Sequence, residues 1–150
     1  MHIRLAASMD ADDIYIWRND ELVRDMSLNS GIVDYESHIE WFSATLKNEN
    51  RYLFIGEIDG HKVGVCRFDL DGTTLPKQAL VSINMNPSFR GRGLAKPMLK
   101  KAIEWCQTKD DTYKLVALIK PENKASIQLF STSGFVLHSR HSDLLEYHYN

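Results

Sequence analysis

The stretch Asn86-Pro87-Ser88-Phe89-Arg90-Gly91-Arg92-Gly93-Leu94-Ala95 constrains this chain more than any other. Just before it, apolar Val81, Ile83 and Met85 alternate with polar Ser82, Asn84 and Asn86, the period of a half-buried strand. From its end, Leu94, Ala95, Met98, Leu99, Ala102, Ile103 and Cys106 follow at helical spacing. A strand must therefore turn sharply into a helix through Gly91 and Gly93. Successive backbone N–H groups in such a turn form a cradle for an anion, and the helix dipole adds to it. The spacing lacks the third glycine of a dinucleotide fingerprint and the Gly-Lys-Ser/Thr of a P-loop. Taken alone, it is equally a glycine-punctuated turn with no ligand.

The surrounding pattern places this turn in a mixed α/β sheet. Ile3 to Ala6 reads as an opening strand, and Asp10, Asp12 and Asp13 load the front of a helix that ends in Trp17-Arg18-Asn19-Asp20. Asp34 caps a second helix with Tyr35, Ile39, Phe42 and Leu46 on one face. Tyr52 to Ile58 and Lys62 to Leu70 read as strands joined by an Asp59-Gly60 hairpin turn. Asp71 to Gln78 reads as a loop and Leu80 to Met85 as a strand. The continuous apolar run Leu115 to Ile119 marks a strand buried on both faces. A short helix, Asn123 to Thr132, stops at Gly134, and strands at Phe135 to His138 and Leu144 to Tyr149 close the order. No linker or repeat divides residues 1–150, which suffice for a single core.

Lys plus Arg number 18 against 20 Asp plus Glu, and a net charge of −2 leaves no general footprint for nucleic acid or an anionic membrane. Cys66 and Cys106 stand apart among apolar neighbours and read as buried, reduced packing residues. No apolar run reaches the length of a membrane span, and Met1-His2-Ile3-Arg4 lacks a signal-peptide core, so a cytoplasmic location is expected.

A second element follows the buried strand: Asn123, Ser126, Phe130 and then Gly134-Phe135. Together with Arg90-Gly91-Arg92-Gly93-Leu94-Ala95, it resembles the GCN5-related N-acetyltransferase (GNAT) superfamily. The first motif is similar to that family's Arg/Gln-x-x-Gly-x-Gly/Ala signature and the second to its Asn, small, aromatic, Gly-Phe pattern. The resemblance covers nearly the whole chain. It implies a single GNAT domain, with a mixed sheet of about seven strands splayed between the fourth and fifth, and four helices.

The resemblance further implies acetyl-CoA as cosubstrate and no metal. The pyrophosphate would rest on the amides of Gly91 to Ala95, beside Arg90 and Arg92. The pantetheine arm would lie in the splay against Ile83, Met85, Asn123, Ser126 and Phe130. A backbone N–H near Ile83 to Met85 would stabilise the oxyanion formed when an amine attacks the thioester directly. Asn84, Met85 and Ser126 are the candidate catalytic residues. Many relatives carry a tyrosine, the donor to the leaving thiolate, where this chain has Phe130. A positioned acid is worth about 10²–10⁴-fold. Water or a hydroxyl of Ser126, Ser131, Ser133, Tyr113 or Tyr147 is left as donor. Glu57, Asp69 and Glu122 are carboxylates near strand ends that read first as surface charges. Pro97 removes an N–H one turn into the helix, and an adjusted first turn is expected there.

The acceptor side falls to the N-terminal third. Trp17-Arg18-Asn19-Asp20 and Ser37-His38-Ile39-Glu40-Trp41-Phe42 resemble the branch that acetylates nucleotide-linked amino sugars and, less closely, the branch acting on ribosomal-protein N-termini. Trp17, Arg18, His38 and Trp41 are the expected acceptor residues, two aromatics to stack on a ring and two polar groups for a sugar or diphosphate. The bland readings are core packing for the tryptophans, a first-turn surface position for His38, and an exposed ion pair to Asp20 or Glu21 for Arg18. A small-molecule amine on a sugar nucleotide is the expected acceptor, a peptide amine or an inactive coenzyme-binding module the alternatives, and a homodimer is possible. His138, His141 and His148 read as strand-surface residues, with no carboxylate expected to complete a metal set.

Overall fold

In the computed structural model, which describes residues 1–150, Asp59 and Gly60 take left-handed backbone angles, φ 50° and 78°. They fold β2 (Arg51–Ile58) back onto β3 (His61–Asp71) as the sequence predicts. β1 (His2–Leu5) pairs with β2 on its outer side, and β4 (Gln78–Met85) pairs with β3. Beyond β4 lie β5 (Lys114–Ile119), β7 (Leu144–Tyr149) and the edge strand β6 (Phe135–His141), in the order β1-β2-β3-β4-β5-β7-β6. Every neighbouring pair is antiparallel except β4 and β5, which run parallel. This is the predicted α/β GNAT fold with its seven-stranded mixed sheet.

The helices are α1 (Ala11–Arg18), α2 (Glu21–Met26), α3 (Tyr35–Lys47), α4 (Ala95–Lys109) and α5 (Lys124–Ser131). The four expected from sequence are α1, α3, α4 and α5. The six-residue α2 is additional, begun where the Asp20 carboxylate accepts the Val23 N–H at 3.2 Å. Its one buried side chain, Val23, gives no periodic signal. Two strands exceed their predicted bounds by more than one residue at an end. β4 begins at Gln78, inside the expected loop, because Gln78 to Leu80 pair with Lys114 to Val116. β6 runs on to His141 across a register shift between Leu137 and Ser139 that leaves His138 outside the ladder register, its ring stacked on His148 of β7.

Alternation along the strands divides the interior. Phe54, Cys66, Phe68, Ala79 and Val81 meet Met98, Leu99, Ala102 and Ile103 of α4 on one face. Leu53, Ile55 and Val65 meet Ile14 and Trp17 of α1 and Phe42 of α3 on the other. Each large side chain so buried contributes about 1.5–3 kcal/mol. Cys66 and Cys106 are free and buried, and burial pushes the Cys106 thiol up to about 12, so both are packing residues.

Asp10 does more than charge a helix front. Its carboxylate is wholly buried and receives both terminal nitrogens of Arg4 at 2.8 Å, Lys62 Nζ at 2.9 Å and the Ala7 N–H at 2.8 Å. Burial alone would raise its pKa, but these donors outweigh it and hold the group down at about 2. The cluster pins the start of α1 to β1 and β3.

Candidate coenzyme and acceptor site

β4 and β5 share only the register from Gln78 to Leu80 against Lys114 to Val116. Past Leu80, β4 stays paired with β3 through Met85, and β5 stays paired with β7 through Ile119. The strands thus part, leaving the facing backbone groups of residues 81–85 and 117–119 without a strand partner in the gap. Gly64 maintains this placement from the other side: a Cβ there would lie 2.9 Å from Met85 Sδ and 3.0 Å from the Asn84 carbonyl. A cavity of about 330 Å³ opens from the gap, lined at this end by Ile83, Asn84, Ala117, Ile119, Asn123, Ser126 and Phe130.

The turn after β4 has the predicted form. Asn86 caps a short 3₁₀ segment, Pro87–Phe89, by accepting the Ser88 N–H at 3.0 Å. Gly91 and Gly93 then adopt φ 71° and 69°, a region glycine enters without strain, and no atom lies within 4 Å of where either Cβ would be. α4 starts at Ala95 with no side-chain cap, so no side chain claims its first amides. Pro97 is the third residue of α4, where its missing N–H is one the helix would leave unpaired in any case; the Met98 N–H still reaches the Leu94 carbonyl at 3.3 Å. The expected distortion of the first turn is therefore unnecessary. Arg90 pairs with Asp20, which also caps α2, and the Arg92 guanidinium lies 4.9 Å from the Phe89 ring centre.

Asn123 caps α5 by accepting the Ser126 N–H at 3.1 Å, which accounts for the spacing between these two residues. Phe130 is buried against Phe135 with ring centres 4.9 Å apart. Of the hydroxyls considered as proton donors, only that of Ser126 belongs to a residue lining the cavity. Of the carboxylates, only Asp69 does, and it is held by Arg51 at 2.6 Å and by Arg67 at 3.2 Å. Glu57 is bonded to Arg4 at 3.0 Å, away from the cavity.

The far wall comes from the N-terminal third. Trp17, Arg18 and Trp41 line it, together with Met26 to Asn29, Gly31 and Val33 after α2. Asn19 Nδ2 donates to the Val33 carbonyl at 2.8 Å, and Asn19 Oδ1 accepts the Val33 N–H at 2.9 Å. This double bond pair fixes where the wall segment returns. Trp17 is also a core residue, 4 % exposed. Arg18 makes no ion pair with Asp20 or Glu21; its Nη1 meets His38 Nδ1 at 3.1 Å, and its guanidinium lies 4.7 Å from the Trp41 ring centre. His38 is neither a surface residue nor part of the lining. It is fully buried behind Arg18, stacked on Phe42, with Nε2 bonded to the Ala11 carbonyl at 2.8 Å. Burial is the chief influence lowering its pKa.

Arg67, which sequence reasoning passed over, also lines the cavity, its guanidinium 5.8 Å from the Trp41 ring centre. Its signal was weak, since a lone arginine on a strand reads as an edge charge. Met85 and the residues from Arg90 to Ala95 lie outside the cavity lining. The C-terminal histidines do acquire a carboxylate: Glu146 takes His148 Nε2 at 2.7 Å and His141 Nε2 at 3.2 Å. Donor atoms of His138, Glu146 and His148 lie within 4.8 Å of one another on the β6–β7 hairpin, and none of the three lines the cavity.

A parallel strand pair that parts beside an uncapped amide turn defines a class of fold that can take an extended ligand into its sheet. The chain belongs to the Acetyltransferase (GNAT) family, whose sequence pattern matches residues 12–135. Spermidine N(1)-acetyltransferase of Escherichia coli K12 is 26% identical over 104 residues, 67% of this chain and 55% of that protein. An uncharacterised N-acetyltransferase of Methanocaldococcus jannaschii is 28% identical over 100 residues, 63% of this chain and 43% of that protein. The chain thus spans about half the length of these curated relatives.

Among solved structures, spermidine N-acetyltransferase of Vibrio cholerae in complex with CoA and spermine superposes with a TM-score of 0.87 at 15% identity, over 98% of this chain and 93% of that one. Ribosomal-protein-alanine N-acetyltransferase of Brucella melitensis gives 0.81 at 23%, over 99% and 98%. At these identities the likeness is one of fold.

Proposed function

We propose that this chain is an acetyl-CoA-dependent N-acetyltransferase of a small-molecule primary amine, with a nucleotide-linked amino sugar as the acceptor. The carrying observation is the single cavity that runs from the β4–β5 gap to the Arg18–Trp41 wall, so that a thioester entering by one end meets an amine entering by the other. The residues present fit the cosubstrate: the gap offers unpaired strand groups to pantetheine, and the open glycines let the amides of Gly91 to Ala95 approach a pyrophosphate. Backbone N–H groups between Ile83 and Met85 would polarise the thioester carbonyl. The neutral amine would attack that carbonyl carbon as the C–S bond breaks, and the amine's proton would pass through water, which the Asn84 side chain can orient by hydrogen bonding, to the departing thiolate. Phe130 cannot protonate the thiolate, but a thiol of pKa about 8.5 is a tolerable leaving group without help. The acceptor's ring would stack on Trp41.

Thiol release from acetyl-CoA, followed with a panel of amino-sugar nucleotides, peptides and polyamines, tests the reading. Release dependent on an amine is expected, fastest with an amino-sugar nucleotide. Absence of acetyl-CoA binding by calorimetry would overturn the whole reading, and exclusive turnover of peptide amines or polyamines would overturn the acceptor.

A further inference from the structure

Two arginines face one cavity in a protein whose net charge is −2. Arg18 ends α1 and Arg67 sits on β3, yet both guanidinium groups lie against the same indole, 4.7 Å and 5.8 Å from the centre of Trp41. Like charges do not gather at a half-buried site without a reason. Here the neutralising groups are scarce. Asp69 is the sole acidic residue in the lining, and Arg51 already holds one of its oxygens at 2.6 Å, leaving the other for Arg67 Nη2 at 3.2 Å. Arg67 Nε is buried with no hydrogen-bond partner at all.

Arg18 has no carboxylate partner. It is held instead by a buried imidazole. His38 Nε2 faces the Ala11 carbonyl at 2.8 Å, so that nitrogen carries the proton, and the Nδ1 lone pair accepts from Arg18 Nη1 at 3.1 Å. A neutral histidine fixes the guanidinium without cancelling its charge. Burial first, and the Arg67 charge second, make the cationic state of Arg18 less favourable than in water. An anion in the cavity would relieve both.

We infer that Arg18 and Arg67 together read an anionic group on the acceptor, a phosphate or a carboxylate carried close to the amine that is acetylated. The inference rests on the proposed acetyltransferase reading and narrows its substrate class. Guanidinium groups present paired N–H donors suited to both kinds of oxyanion. The same wall repels a polycation, which would bring further positive charge to a lining that has two arginines and one shared carboxylate. The cradle at Gly91 to Ala95 lies outside this cavity, so the coenzyme's pyrophosphate does not account for the pair.

Matched acceptors test the inference on the intact chain. Initial rates of thiol release would be compared for glucosamine, glucosamine 6-phosphate, a nucleoside-diphosphate-linked amino sugar, β-alanine and spermidine. At least a tenfold higher kcat/KM is expected for a phosphate- or carboxylate-bearing amine than for glucosamine. The phosphate and β-alanine arms tell the two anions apart. Arg18→Met should reduce that preference ratio at least tenfold through KM, with Arg18→Lys restoring part of it; Arg67→Met should act in the same direction. Spermidine as the best acceptor, or an unchanged ratio in both Met variants, would overturn the inference. Calorimetric titration of glucosamine 6-phosphate against glucosamine, with CoA present, needs no turnover. Equal binding of the two sugars there would also overturn it, whereas absence of turnover with retained anion binding would count only against the acetyltransferase reading.

Discussion

The two ends of the cavity are made of different material. The end proposed to take the coenzyme is chiefly backbone: unpaired strand groups in the β4–β5 gap and, outside the cavity lining, the amides that follow Gly91 and Gly93. The acceptor end is side chains, with Trp17, Arg18, Trp41 and Arg67 brought together from two helices and a strand. Backbone recognition depends on conformations that only a few residue types allow, so it leaves a local signature. Side-chain recognition depends on which distant segments happen to meet, and the same pocket frame can hold different chemistry. This contrast explains why relatives of one fold can carry different acceptor names.

The largest effect should come from the backbone end. Gly93 sits at φ 69°, and a β-branched residue there is strained by roughly 1–2 kcal/mol or more, which would displace the backbone of the turn and the amides that follow it. Gly93→Val should raise the acetyl-CoA dissociation constant at least tenfold by calorimetry, with the melting transition retained. Unchanged affinity would remove the turn from the coenzyme end.

The helix that carries Trp17 and Arg18 can be loosened through the buried cluster at its start. Replacing the wholly buried Asp10 with Asn leaves Arg4 and Lys62 facing a neutral amide and should cost about 3 kcal/mol in urea unfolding. The folded carboxyl, at about 2, lies below its ordinary value of 3.8. Its contribution is therefore complete above roughly pH 4 and is lost as pH falls towards 2. Between pH 4 and pH 2 the parent should lose about 2 kcal/mol more stability than Asp10→Asn does. Parallel acid limbs for the two proteins would show that the cluster does not act as described.

The smallest effect is expected at the junction of the two ends. Phe130→Tyr places a phenol in the cavity lining beside Ser126 and should raise kcat less than tenfold or leave it unchanged. A large fall in kcat, with coenzyme affinity intact, would mean that the phenol displaces a group already serving the leaving thiolate.

Legibility from sequence followed the same division. The Asp59-Gly60 hairpin, the Gly91/Gly93 turn and the Asn123 start of α5 were readable because each is a local solution to a backbone problem. Helix α2 was missed because six residues with one buried side chain carry no period. His38 was placed in the cavity and lies behind it, since a one-dimensional pattern cannot tell which side of α3 meets α1. Arg67 was invisible until β3 was seen to carry it to the indole of Trp41, 26 residues earlier in the chain.

Asn19 has a consequence for how such a protein can change over generations. Its side chain grips Val33 at 2.8 Å and 2.9 Å, so the wall segment from Met26 to Gly31 departs from a capped helix and comes back to a fixed point. Both anchoring bonds run to the Val33 backbone, so they place no requirement on the side chains of the interval between. Substitutions in this interval can therefore alter the wall without touching the β4–β5 gap, and the segment is the natural place to graft a different acceptor preference.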